Sequence, residues 1–227
     1  MDLAQLRDRV NTLKSMTIDD AWCGWMVDDV AAFVYSLIKF TQPDIIIQTG
    51  HLWGKSAVVA MEAMSDDFLR KPETRIEETE PFSRDQIFYE FTVKRAPSPR
   101  VRRFISVDPR PLGGDEPIAF LKKTYPFYQF YQATSENFFQ VGAQQLAELT
   151  AGNVLLGIVD GDHTAGGCSN DLDQLGALNA RYIIVDDTRW IPELGTVTRK
   201  FAVYADYDLA EFPVYNGLMW LSKRQPM

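Results

Sequence analysis

Apolar residues recur along this chain in two patterns, and the alternation between them is the first structural information it carries. From about Val27 to Phe40 the apolar positions fall at helical spacing. Pro43 then precedes Asp44-Ile45-Ile46-Ile47-Gln48, a continuous β-branched run of the kind found in strands buried on both faces of a parallel sheet. The chain turns between Gly50 and Gly54, and Lys55 to Met64 is helical in pattern. Further strands are predicted at Arg103–Asp108, Tyr128–Tyr131, Val154–Asp160 and Tyr182–Asp186. Helices are predicted around Ile118–Lys123, Phe138–Leu149 and Asn170–Asn179. Val197–Ala205 and Gly217–Ser222 are expected to be two strands without a helix between them, an antiparallel pair closing the sheet.

Strands that alternate with helices form βαβ units, and right-handed crossovers assemble these into an open sheet with helices on both faces. The expected fold is therefore α/β and Rossmann-like, with a mostly parallel seven-stranded sheet and an antiparallel C-terminal strand pair. The 227 residues are expected to form one domain, with residues 1–40 as an N-terminal helical cap region. The rhythm breaks at 66–102, where near-balanced charge and Pro72, Pro81, Pro97 and Pro99 mark an insertion between the first crossover helix and the second strand. A solvated excursion and a substrate lid or subunit contact are equal readings of it.

Composition narrows the partners. A net charge of -8 repels nucleic-acid backbones, so a small-molecule ligand is favoured. The start, Met1-Asp2-Leu3-Ala4-Gln5, lacks the order of a secretion signal, and no apolar run is long enough to span a membrane. A cytoplasmic protein, possessing no membrane partner and forming a homo-oligomer, is expected. Cys23 and Cys168 are too far apart, and too isolated, to suggest a disulfide framework or a zinc site.

In a parallel sheet, ligands bind beyond the carboxyl ends of the strands. The unusual residues of this chain stand there: Gln48-Thr49-Gly50, Asp108, Asp160-Gly161-Asp162-His163 and Asp186-Asp187. Gly50 and Gly54 bracket a strand-to-helix turn, where a ligand can approach backbone amides, although a ligand-free tight turn needs similar glycines. Asp108 stands where nucleotide-binding sheets hold ribose hydroxyls, or where an aspartate caps a turn. Asp160, Asp162, Asp186 and Asp187 gather carboxylates at neighbouring strand ends. Such groups repel unless protonated or metal-bound, and oxygen ligands favour a hard divalent ion, with Mg2+ the first choice. His163 beside them is a possible base or a hydrogen-bonding residue. His51, Trp53, Trp22 and Trp25 are pocket walls or core.

From Pro43 to Asp187 these motifs resemble class I S-adenosylmethionine-dependent methyltransferases, in particular the macrocin O-methyltransferase and cephalosporin hydroxylase-like branch. The resemblance is carried by Gln48-Thr49-Gly50 through Gly54-Lys55-Ser56, Ser106-Val107-Asp108, Asp160-Gly161-Asp162-His163 with Asp171 following, and Val185-Asp186-Asp187-Thr188. It implies S-adenosylmethionine as cofactor, with Gly50, Gly54 and Ser56 at its methionine end, Asp108 on its ribose and Ser135 near its adenine. Gln48 stands where the family has an acidic residue facing the cofactor's amino group. The resemblance further implies that Asp160, Asp186 and Asp187 bind the metal, with Asp160 adjoining the cofactor, and that Asp162 is the base. Methylation of a hydroxyl on a small molecule, a sugar or polyol, is the implied reaction. A hydroxylase-like or non-catalytic cofactor-binding role is an alternative on the same fold. A third reading is a phosphate-binding loop at Gly50-His51-Leu52-Trp53-Gly54-Lys55-Ser56, but that loop is one residue short.

Overall fold

The computed structural model describes residues 8, 9, 11, 12, 28–52, 54–65, 102–111 and 115–224. Trp22, Trp25, Cys23, Trp53 and all but Arg102 of the expected insertion lie outside the described residues, as does most of the cap region. After helix α1 (Asp28–Thr41) the chain runs β1 (Ile45–Thr49), α2 (Lys55–Ser65), β2 (Arg103–Val107), α3 (Asp115–Thr124), β3 (Tyr128–Tyr131) and α4 (Ser135–Thr150). It continues through β4 (Leu155–Val159), α5 (Ala165–Ala177), β5 (Tyr182–Val185), α6 (Pro192–Tyr204), β6 (Tyr207–Phe212) and β7 (Leu218–Lys223).

The seven strands form one sheet in the order β3-β2-β1-β4-β5-β7-β6. The first five are mutually parallel, and β7 runs antiparallel to both β5 and β6. The order reverses between β1 and β4, so the loops leaving those two strands diverge to opposite faces and open a crevice at their carboxyl ends.

Why β1, β4 and β5 read as unbroken apolar runs is explained by their two covered faces. Ile46, Leu156, Ile158 and Ile184 pack with Val34 and Ile38 of α1, Val58 and Met61 of α2 and Leu121 of α3. Ile45, Ile47, Leu155, Val159, Ile183 and Val185 point the other way, onto Phe139 of α4, Leu172 and Leu175 of α5, and Leu194 and Phe201 of α6. Gly157 in β4 lets α5 approach: a Cβ there would lie 2.4 Å from Cδ1 of the fully buried Leu175.

One element differs from expectation. Val197–Ala205 lies mostly in helix α6, and the antiparallel pair is β6 with β7. The physical reason is the burial of Leu194, Thr198, Phe201 and Ala202, three and four residues apart, which is a helical stripe; Pro192 at the first helical position starts it. Val197, Thr198 and Val203 are β-branched and favour a strand locally, and tertiary burial overrides that propensity. Among the described residues no helix is long and apolar enough to cross a membrane. Cys168 is a buried free thiol whose pKa burial pushes up to about 11.

Candidate functional site

The crevice is held open by one very close approach of backbone. Gly50 follows β1 with φ +83°, and a Cβ at this position would lie 1.9 Å from the Asp160 carbonyl oxygen and 2.8 Å from Gly161 Cα. The Asp160 amide donates to the Thr49 carbonyl (3.1 Å) and the Gly50 amide to that of Val107 (2.9 Å). Three strand ends are thereby fixed against one another. Gln48 lies beneath them, fully buried, its Nε2 donating to the Gly50 carbonyl and to Ser56 Oγ, both at 2.7 Å. It does not line the cavity; it pins the turn that does. An acidic side chain could not make the bond to Gly50, because a carboxylate has no proton to donate to a carbonyl.

Asp108 faces the same turn. Its Oδ2 accepts from the amides of His51 (2.9 Å) and Leu52 (3.2 Å), and its Oδ1 from that of Arg110 (2.7 Å). The amides that a phosphate-binding loop offers to an anion are here occupied by the protein's own carboxylate, while the Gly54 amide donates to the His51 carbonyl (2.8 Å). Among the described residues of the turn, these three amides are therefore not free for a phosphate. Asp108 still borders the cavity, as do Gly50, Gly54 and Ser56.

His51 is core as well as wall. It is 2% exposed, between Tyr128 and Phe130, with Nδ1 at 2.9 Å from Ser106 Oγ. Burial pushes its pKa down to about 4, against the opposing pull of Asp108. The unfolded chain accepts a proton that the folded protein refuses, so stability from this group is full above the ordinary value of 6.5 and declines as pH falls toward 4. In urea titrations between pH 7 and 4, His51→Gln should lose about 3 kcal/mol less stability than the wild type over that window. Equal losses in the two proteins would show that His51 is not buried neutral.

Across the crevice stands the acidic cluster. Ligand atoms of Asp160, His163 and Asp187 all lie within 4.8 Å of one another. His163 Nε2 is 3.6 Å from Asp160 Oδ1 and 3.4 Å from Asp187 Oδ2. Asp187 is held from behind by Asn216, whose Nδ2 donates to Oδ1 at 2.8 Å. Burial raises the Asp160 carboxyl, aided by repulsion from Asp187 and opposed by hydrogen bonding to His163. Asp186 rises to about 8 through burial and then repulsion by Asp160 and Asp187, and its Oδ1 accepts from the Asp187 amide (2.9 Å). His163 rises because Asp160 hydrogen-bonds its protonated form.

The converging set thus differs from the expected one: His163 stands with Asp160 and Asp187, and Asp186 interacts with them without joining the closest group. Asp162 borders the same cavity but stands outside this group. Its carboxylate accepts from the Thr164 amide (3.2 Å) and hydroxyl (3.1 Å), and it packs on Gly167 at the start of α5. Ser135, at the first position of α4, borders the cavity beside Thr134.

The Gly50 turn, His51, Asp108 and the acidic cluster border one cavity of about 940 Å³, large enough for a dinucleotide-sized cofactor with a small co-substrate. Its rim includes Trp190 and Tyr215, 62% and 66% exposed, with the Trp190 ring edge-on to His163 at 5.9 Å between centroids. Sequence reasoning missed Trp190, Tyr215 and Asn216. The Tyr215-Asn216-Gly217 turn reads as a hairpin connection, and nothing local signals that it folds over the strand-end loop, where Asn216 accepts from the Arg189 and Trp190 amides.

No protein-family model matches the sequence, and no curated protein matches it. Solved structures do match in fold. An SAH-bound methyltransferase from Podospora anserina is 14% identical, over 97% of this chain and 88% of that one, with a TM-score of 0.61. An O-methyltransferase from Bacillus cereus in complex with SAH is 11% identical over 98% and 92% of the two chains, with a TM-score of 0.57. A methyltransferase from Geobacter sulfurreducens is 12% identical over 97% and 88%, at 0.54. The chain has the Rossmann-like fold of these methyltransferases over nearly its whole length.

Proposed function

We propose that this chain is an S-adenosylmethionine-dependent O-methyltransferase acting on a hydroxyl of a small molecule, with a divalent cation such as Mg2+ as its second cofactor. The observation that carries the reading is the convergence, on one cavity at the sheet's switch point, of the Gly50 turn and Asp108 on one side with Asp160, His163 and Asp187 on the other. The resemblance of the motifs to the macrocin O-methyltransferase branch supports the same assignment, and a sugar or polyol acceptor follows from it as part of the proposal.

The donor set fits a hard divalent ion. Asp160 and Asp187 would hold it, with Asp186 as the adjoining ligand, and the charge of the ion would offset the repulsion that raises these carboxyls. When bound, the ion supplies Lewis acidity that lowers the pKa of a coordinated hydroxyl. His163 faces the cluster through Nε2 and is the side chain placed to take up the acceptor's proton there. Asp162, the base implied by the family motif, has both oxygens engaged by Thr164. Trp190 and Tyr215 at the rim offer apolar faces to the body of the acceptor, and alignment of its oxygen with the methyl group contributes much of the rate.

Titration calorimetry with S-adenosylhomocysteine, with and without Mg2+, tests the reading. One molecule bound per chain is expected. Binding of ATP with no binding of S-adenosylhomocysteine would replace it by the phosphate-loop alternative.

A further inference from the structure

Asp187 enters the acidic cluster from an unusual backbone position. Its φ is +58°, in the left-handed region that residues other than glycine visit sparingly. The chain beyond it is secured by a turn from another part of the sequence. The amides of Thr188, Arg189 and Trp190 donate to the carbonyls of Gly217 (3.2 Å), Asn216 (2.7 Å) and Asn216 again (2.9 Å). Gly217, with φ +87°, permits the approach, since a Cβ there would lie 2.7 Å from the Arg189 nitrogen. All three bonds are main chain to main chain. The loop after β5 is therefore fixed without help from the Asn216 side chain.

That side chain has a different task. Its Nδ2 donates to Asp187 Oδ1 at 2.8 Å, while Asp187 Oδ2 faces His163 Nε2 at 3.4 Å. One oxygen of the carboxylate is held from behind and the other is directed at the cluster, toward the like charge of Asp160. An aspartate at 216 could not replace the bond, because a carboxylate has no proton to donate. We propose that Asn216 is a positioning residue for the cation site: by holding Oδ1 it presents Oδ2 of Asp187 to a divalent ion. The proposal rests on the reading of Asp160 and Asp187 as ligands of such an ion. Hydrogen-bond partners behind metal ligands typically contribute about 10–100-fold in affinity.

The test is affinity for Mn2+, followed by its electron paramagnetic resonance signal, with thermal unfolding of the metal-free protein recorded alongside. Asn216→Ala should weaken Mn2+ binding about tenfold or more. The metal-free variant should unfold within about 4 °C of wild type, as expected for one lost hydrogen bond. Arg189→Ala is the control for a loosened loop. It removes another side-chain bond between the same two segments, from Nη1 to the Pro213 carbonyl (3.2 Å), and leaves Asp187 Oδ1 held. Mn2+ should bind it no more weakly than wild type. Should Asn216→Ala not fold, Asn216→Ser carries the test: serine suits turns, and its hydroxyl stands one bond closer to the backbone than the amide nitrogen, so the same loss is expected. Asn216→Ala, or Asn216→Ser in its place, binding Mn2+ as tightly as wild type overturns the proposal, and so does an equal loss in Arg189→Ala. A wild type that binds no Mn2+ overturns the cation reading and this one together, while wild-type binding with an unaffected Asn216 variant overturns this one alone.

Discussion

Replacing Gly50 by alanine should destabilise the protein by about 4 kcal/mol or more, a loss at the extreme of single substitutions. Two terms contribute, and three glycines in this chain separate them. Gly152, Gly54 and Gly50 have φ of +75°, +85° and +83°, so alanine carries a similar backbone penalty of about 1 kcal/mol at each. At Gly152 a Cβ meets nothing within 4 Å, and the backbone penalty is the whole effect. At Gly54 it meets His51 Cε1 and Leu121 Cδ1 at 3.0 Å, atoms of side chains that can shift slightly. At Gly50 it falls 1.9 Å from a main-chain oxygen, and relief requires moving β1 away from β4. Urea denaturation should rank the variants Gly152→Ala, Gly54→Ala, Gly50→Ala in increasing loss. A Gly50→Ala protein as stable as Gly152→Ala would mean that the two strand ends do not approach so closely. Marginal net stability makes partial unfolding of Gly50→Ala at room temperature an expected result.

That result bears on how a glycine turn is read from sequence. Gly50 invites the interpretation that a ligand needs the space, yet the space is filled by the Asp160 carbonyl. The β-branched runs at Ile45–Ile47 and Tyr182–Val185 announced buried parallel strands because both faces are covered, and their order with the intervening helices implied the crevice. The aspartates at the strand ends were legible as a group for the same reason. Their individual roles were not, because those depend on side-chain partners distant in sequence. Asp162 is drawn to Thr164, His163 turns back to Asp160 and Asp187, and Asn216 reaches Asp187 from the far hairpin. Asp108 likewise had two readings, ribose ligand and turn aspartate, and its three amide partners realise the second while it still borders the cavity. Helix α6 escaped detection because the local β-branched content of Val197–Ala205 was outweighed by a helical stripe meeting the sheet.

Removing one carboxylate from the cluster should move stability and function in opposite directions. Asp160 has its carboxyl raised by burial and by Asp187, and it helps raise Asp186 in turn. A group with a raised folded pKa destabilises the fold once pH exceeds its ordinary carboxylate value, and more so until the folded protein also releases its proton. Asn carries no charge, can still accept from His163, and removes a repulsive neighbour from Asp186. Asp160→Asn is therefore expected to stabilise the metal-free protein at pH 8, by about 1–2 kcal/mol. The gain should shrink to nothing only as pH falls well below the ordinary carboxyl value of 3.8, where the group is protonated in both states. Under the proposed metal reading the same substitution deletes a charged ligand, and affinity for Mn2+, measured by its electron paramagnetic resonance signal, should fall by about 100-fold or more. Structural carboxylates behave differently: their removal costs stability and leaves a divalent ion indifferent. A less stable Asp160→Asn with unchanged Mn2+ binding would place this cluster among them. The expected opposition, a more stable fold that has lost its ion, is what a site assembled at the expense of folding produces.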